Sequence, residues 1–175
     1  MKEKHQSTKN LNFIKNHEIN LIKWDNCINN AHNGTIYAFS WYLDIICEDW
    51  QAIIQGDYEA VMPLLKRKRA GFQYISTSPF ASQLGVFSTE ILDEAMVNTF
   101  IRKVFEHYRI FTIDLNKFNQ IEEDLFHQVR QTTFEFDLIR NYRIMKQGYS
   151  HMIQDGIREA GRQNISILKG ITPND

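Results

Sequence analysis

Near the C-terminus, the stretch IREAGRQ brings together Arg158, Gly161, Arg162 and Gln163. These are residue types that hold a phosphate when a glycine lets backbone N–H groups approach it and an arginine supplies charge. A second cationic group, Lys66, Arg67, Lys68 and Arg69, is continuous in sequence and offers phosphate contacts as a row of positive charges. Asp114, within RIFTIDLN, is a candidate general base, since a strand can aim a carboxylate at a reacting proton. The histidines (His5, His17, His32, His107, His127 and His151) never form a close pair, and no HExxH spacing occurs. A GxSxG elbow, a Walker loop and a GxGxxG fingerprint are all missing. The commonest zinc, serine-hydrolase, NTPase and Rossmann readings are thereby set aside.

Position decides between these chemistries. Tyr142, Met145, Tyr149, Met152, Ile153, Ile157 and Ala160 recur at helical spacing, interrupted by Gly148 and Gly156. Arg158 and Gly161 therefore fall at the end of a helix, where carbonyls and negative potential repel a phosphate. Gly161 reads as a glycine that ends the helix. Lys66, Arg67, Lys68 and Arg69 read first as a solvated hairpin tip and second as phosphate contacts. On an alternating strand, Asp114 can equally face solvent.

At 175 residues and 43% hydrophobic, the chain is long enough to bury one good core, and one domain is the default. Twenty basic side chains against 21 acidic ones leave a net charge of -1, so no global field draws the protein to nucleic acid or membrane. No apolar run approaches the roughly 20 residues that span a bilayer, and the first 20 residues contain no signal-peptide core. The two cysteines, Cys27 and Cys47, read as buried free thiols in a reducing compartment. The expectation is a cytoplasmic protein without membrane contact.

The elements follow from periodicity and punctuation. Residues 12–15 read as a short strand. Leu21, Trp24, Ile28 and Ala31 mark a helix ended by Asn33 and Gly34, and a second helix starts at Ser40, its hydroxyl as cap. WQAIIQGDYEAVMPLLKRK reads as two strands joined by a two-residue Gly56-Asp57 turn, and Gly71 turns the chain into FQYIS, making a three-stranded meander. Pro63 places its strand at an edge or a bulge. After a turn at Ser78-Pro79 the chain stays extended to Ser88. Ser88 is expected to cap a helix containing Ile91, Leu92, Ala95, Met96, Phe100 and Val104. RIFTIDLN reads as a strand, HQVRQTTFEFDL as a bent strand or hairpin, residues 141–163 as a helix, and ISILKG as a last strand. The fold class expected is α/β (α+β), with a mixed, mostly antiparallel sheet flanked by helices.

This order resembles the GNAT superfamily of acyl-CoA N-acyltransferases. The phrase SWYLDIICEDWQAIIQGDYEAVMPLLKRKRAGFQYISTSPFASQLGVFS is similar to the first half of Bacteroidetes-type, Fem-like proteins, relatives of the aminoacyltransferases that build peptidoglycan interpeptide bridges. The likeness spans residues 24–173. YSHMIQDGIREAGRQNISILKGITPND looks like the junction to a second GNAT-like domain. It implies a polar leader at 1–10, a GNAT-like domain at 11–163, and a strand and tail at 164–175 leading to an absent second domain.

The resemblance also implies a site. GNAT enzymes hold the CoA pyrophosphate in a Gln/Arg-x-x-Gly-x-Gly/Ala loop between a strand and a helix. Here that place is Phe87, Ser88, Thr89 and Glu90, without a glycine and with an acid. Residues 158–163 carry Gln163 where the pattern wants Gly or Ala. Trp41 and Tyr42 fall where the acceptor groove is lined, although rings there are also common core residues. Ser82 and Gln83 precede the strand expected to splay from its neighbour, and Asp114 and Asn116 lie across that split. The leading expectation is a non-catalytic or incomplete half of a Fem-like acyl- or aminoacyltransferase. One alternative is an active N-acyltransferase using acyl-CoA or aminoacyl-tRNA, with Lys66 to Arg69 and the last helix touching phosphates. The other is an interaction module that pairs through an exposed edge strand, with a second GNAT-like domain or a second copy as partner. Acyl-CoA is the only cofactor suggested, and no metal is.

Overall fold

A computed structural model describes residues 10–122, 126–135, 139 and 141–163. The chain forms two compact units, Met1–Gln128 and Val129–Asp175. The first is a mixed α/β unit whose sheets are antiparallel and flanked by helices.

Four strands, β1 (Leu11–Lys15), β2 (Gln51–Gln55), β3 (Ala60–Leu64) and β6 (Phe87–Ser88), form one sheet in the order β1-β2-β3-β6. Every pairing within it is antiparallel. β2 and β3 are apolar without alternation because both faces are covered. Ala52, Ile54 and Val61 join a cluster with Trp24, Ile28 and Leu43 from helices α1 (Leu21–Asn30) and α2 (Ser40–Ile46). Ile53, Met62 and Leu64 face the opposite way, toward Val97, Phe100, Ile101 and Val104 of α3 (Glu94–His107). The Trp24 and Trp50 rings lie 4.8 Å apart in the first cluster, and the Trp24 indole donates to the Ala38 carbonyl.

Local chemistry explains most element ends, with several corrections to the sequence reading. Asn20 caps α1 by accepting from the Lys23 amide. The helix stops at Asn30, and Gly34 has no left-handed conformation, so it is no C-cap glycine. Its role is close approach: a Cβ there would lie 2.2 Å from the Ile28 carbonyl oxygen. Ser40 does not cap α2 with its hydroxyl. Asp25 does the work from α1, accepting from both the Ser40 amide and the Ser40 hydroxyl at 2.8 Å. Asp25→Ala is expected to cost about 1–2 kcal/mol, the usual loss of a helix cap. At roughly 2–4 °C per kcal/mol the Tm falls by about 2–8 °C. An unchanged melting curve would show that α2 needs no cap from α1.

The β2–β3 connection has four residues, 56–59, where two were expected: Gln55 pairs with Ala60, and both Gly56 and Tyr58 have positive φ. The three-stranded meander is also revised. The chain breaks at Leu65, and β4 (Lys66–Arg69) and β5 (Phe72–Ile75) form a separate two-stranded sheet. Ala70 and Gly71, at φ 49° and 86°, make its turn. Pro63 sits as expected, because β6 pairs only with Ala60 and Val61 and leaves β3 an edge strand at the proline. The turn at Ser78-Pro79 is present, closed by the Ala81 amide on the Ser78 carbonyl at 3.0 Å.

Ser88 ends β6 and does not cap α3. Asp93 takes that role, accepting from the Met96 amide at 2.7 Å, so Ile91 and Leu92 precede the helix. RIFTIDLN was expected as a strand, but its backbone pairing consists of two isolated parallel bridges, Ile75 with Phe111 and Leu84 with Leu115, while Phe111, Ile113 and Leu115 pack on the second core cluster. No helix among the described residues is long and apolar enough to cross a membrane.

Residues 127–135 and 139, which run from the end of the first unit into the second, have no regular structure, where a bent strand or hairpin was expected. The single helix expected over 141–163 is two, α4 (Tyr142–Gln147) and α5 (His151–Arg162), separated at Gly148 and capped by Asn141 and Ser150. The helix runs through Gly161 and ends at Arg162, so this glycine does not terminate it. The expected ISILKG strand lies outside the described residues.

Candidate functional site

Residues 84–88 are pinned by side chains as much as by backbone. On one side β6 pairs with β3. On the other, Val86 meets the Asn119 carboxamide, whose Oδ1 accepts from the Val86 amide at 2.6 Å while its Nδ2 donates to the Val86 carbonyl at 3.0 Å. Asn33 donates to the same carbonyl at 2.8 Å. Asn116 anchors Leu84, two residues earlier, donating from both its backbone and its side chain to the Leu84 carbonyl at 2.9 Å. Asn119 also donates to the Asn116 Oδ1 at 3.0 Å. All three asparagines are buried, so each amide replaces water that the backbone has lost. Gly85 makes room for the network: it sits at φ 101°, and a Cβ would fall 2.6 Å from the Asn119 Oδ1. Sequence reading missed Asn33 and Asn119. Their only signal was an amide type at a turn, which solvent explains equally well.

Beside this network lies a narrow cleft, where residues 76–83 diverge from 112–114 between the two parallel bridges. Pro63, Leu65, Ile75, Ala81, Leu84 and Ile113 give it apolar walls, and Ser76, Thr77, Thr112 and Asp114 are its polar lining. Burial pushes the Asp114 carboxyl above its ordinary value. The folded protein then holds that proton more tightly than the unfolded chain does. Stability therefore falls as pH rises from the ordinary carboxylate range through the raised value, and stays lower above it. Asp114→Asn should raise the Tm at neutral pH, with the gain vanishing below the ordinary carboxylate pKa. Equal melting at pH 7 would count against this.

Of the six groove candidates, Asp114 alone lines the cleft. Asn116 is committed to Leu84. Ser82 is exposed and Gln83, at φ 60°, is half-buried in the loop beside it. Tyr42 donates its hydroxyl to the Phe80 carbonyl, tying α2 to that loop, and its ring meets Trp41 edge-on at 5.5 Å with Trp41 half exposed.

The basic run is not a hairpin tip but the strand β4, and it is divided. Lys66 pairs with Asp49. Arg67 donates to the Ile46 carbonyl at 3.1 Å, satisfying the C-terminal end of α2. Lys68 and Arg69 are exposed. In α5, Arg158 pairs with Asp155 at 2.7 Å and Arg162 with Glu159 at 3.4 Å, each within one helical turn.

The turn after β6 carries no open cradle of amides. The Ser88 amide donates to the Asn33 Oδ1 at 3.5 Å, the Thr89 amide to the Glu59 carbonyl at 3.1 Å, and the Glu90 amide to the Ser88 hydroxyl at 2.9 Å. Burial, with a lesser contribution from Glu59, pushes the Cys27 thiol up to about 11, and burial raises Cys47 as well, so neither is a thiolate nucleophile at neutral pH. Among the described residues no group of three His, Cys, Asp or Glu is placed to hold a metal. Comparisons with family models, curated proteins and solved structures found no match for this chain.

Proposed function

We propose that the first unit is a GNAT-like domain corresponding to the N-terminal half of a Fem-like acyltransferase, serving as scaffold or acceptor-binding half without a complete acyl-donor site. One observation carries the second part. At the strand-to-helix turn where a CoA pyrophosphate needs free N–H groups, the amides of Ser88, Thr89 and Glu90 all donate within the protein. The helix that follows opens on Asp93 and Glu94, whose charge opposes an anion. The GNAT-like part is supported by element order: two helices between β1 and β2, a strand before α3, and a segment after α3 that meets earlier residues in parallel and then diverges. The division of the basic run in β4 also argues against a continuous phosphate-binding surface there.

The test is thermal unfolding with saturating acetyl-CoA, together with filter binding of aminoacyl-tRNA across a salt series. No shift and no salt-dependent retention are expected. A ligand at 100 times its Kd stabilises by about 2.7 kcal/mol, a rise of roughly 5–10 °C for a chain this long. A rise of that size, or retention that falls steeply with salt, would overturn the reading and restore an active transferase.

A further inference from the structure

We propose that the tip of the β4–β5 ribbon is a contact for an anionic phospholipid surface, with Phe72 entering the bilayer interface and Lys68 and Arg69 meeting the headgroups. The ribbon stands off the body of its unit. Arg67 and Tyr74, paired across it, are half-buried, and Arg67 is held on the Ile46 carbonyl, whereas every residue from 68 to 73 is exposed. At about 3.3 Å per residue, the run from Arg67 to the Ala70-Gly71 turn projects roughly 10 Å. That is about the depth to which peripheral elements enter the boundary between headgroups and acyl chains.

The chemistry is ordered along that length. Ala70, Gly71 and Phe72 leave the end without a polar side chain, and Phe72 is 74% exposed. A lone exposed ring is ordinary on a protein surface, but this one sits directly across the ribbon from Arg69, with Lys68 one position further back. Among the described residues neither of these cations makes a hydrogen bond or an ion pair, in contrast to Lys66 and Arg67. No residue from 66 to 75 is acidic, so both charges are uncompensated within the ribbon. Their long stems let them stay at the headgroups while the ring goes deeper. An anionic leaflet attracts such a local pair even though the whole chain has a net charge of -1. Nucleic acid is the rival anion, and the arrangement disfavours it: two free cations make few phosphate contacts, and one ring is a short stacking platform.

The ribbon tip shares no residue with the turn after β6, so the acetyl-CoA experiment can fail or succeed without touching it. The test is co-sedimentation of the full chain with vesicles of phosphatidylcholine and phosphatidylserine in about a 3:1 ratio. Half of the protein is expected on the vesicles at a lipid concentration on the order of 1 mM at low salt, and less as salt rises. Vesicles of phosphatidylcholine alone should bind about tenfold more weakly. Replacing Lys68 and Arg69 together by glutamine is expected to weaken binding by about tenfold or more, and Phe72→Ser by roughly five- to tenfold. Phe72→Trp should keep it, since indole suits the interface. All of these variants should melt like the original chain, because the side chains replaced are exposed. Three results would overturn the proposal: no retention by the mixed vesicles, equal retention by phosphatidylcholine alone, or unaltered retention of Phe72→Ser. A single-stranded oligonucleotide that binds through Lys68 and Arg69 while the vesicles do not would likewise overturn it and assign the tip to nucleic acid.

Discussion

Replacing Asn119 with leucine is expected to lower the Tm by about 6–12 °C, equivalent to about 3 kcal/mol. The loss is concentrated in one group. The Val86 carbonyl keeps its bond from Asn33, and the Asn116 Oδ1 still accepts from the Phe118 amide at 3.0 Å. The Val86 N–H has no such reserve: its bond to the Asn119 Oδ1 is 2.6 Å long, and Val86 is fully buried. An orphaned donor of that kind costs about 1–3 kcal/mol, and the broken bonds add about 1 kcal/mol each before packing compensates. Asn33→Ala should cost less, because its Oδ1 bond to Ser88 is long at 3.5 Å and Asn119 still serves the Val86 carbonyl. Calorimetry of the two variants gives the order, and faster exchange of the Val86 amide in the leucine variant would locate the damage. Equal losses would mean that the three amides act as one unit and not through Val86.

Gly34→Ala should have a similar cost, about 3 kcal/mol or about 6–12 °C, for a steric reason. The added Cβ would meet the Ile28 carbonyl oxygen at 2.2 Å and the Ala31 carbonyl at 3.3 Å. Both are backbone atoms, so no rotamer change relieves the contact, and Ile28 is fixed in the core. Relief requires the end of α1 to move away from the following turn. Gly156 in α5 gives the opposite sign, since a Cβ there meets nothing within 4 Å. Gly156→Ala is expected to raise the helix stability of the second unit by about 0.5–1 kcal/mol, through the lost backbone entropy of the unfolded glycine. Far-UV circular dichroism on heating separates the two outcomes, and a neutral Gly34→Ala would show that α1 is free to shift.

What the sequence made legible was local. β1, the start of α1, the β2–β3 hairpin with its positive-φ glycine and the edge position of Pro63 all depend on neighbours a few residues away. Errors gathered where distant residues decide. Ser40 and Ser88 both have the chemistry of a helix cap, but Asp25, 15 residues upstream, takes the first position, and pairing with Ala60 commits Ser88 to β6. The basic run was misplaced because its charge pattern suits a turn, while Lys66 and Arg67 find their partners at the end of α2 and beyond it. RIFTIDLN alternates like a strand, yet its backbone bridges only to residues 75 and 84. In the site, the residue types of Asp114 and Asn116 were noticed. Their difference was not, because it depends on Leu84, 32 residues before Asn116, and on the cleft wall.

The Asn119 carboxamide has a consequence for how this protein behaves in a crowded solution. It presents Val86 with the same donor and acceptor that a neighbouring strand would, but a side chain has no next residue to continue the ladder. Hydrogen bonding that would invite another chain to template itself on this edge is satisfied and terminated in one step. Losing the amide would therefore do more than loosen the fold: it would expose a growth point, and the leucine variant should form aggregates from a native-like state before it melts.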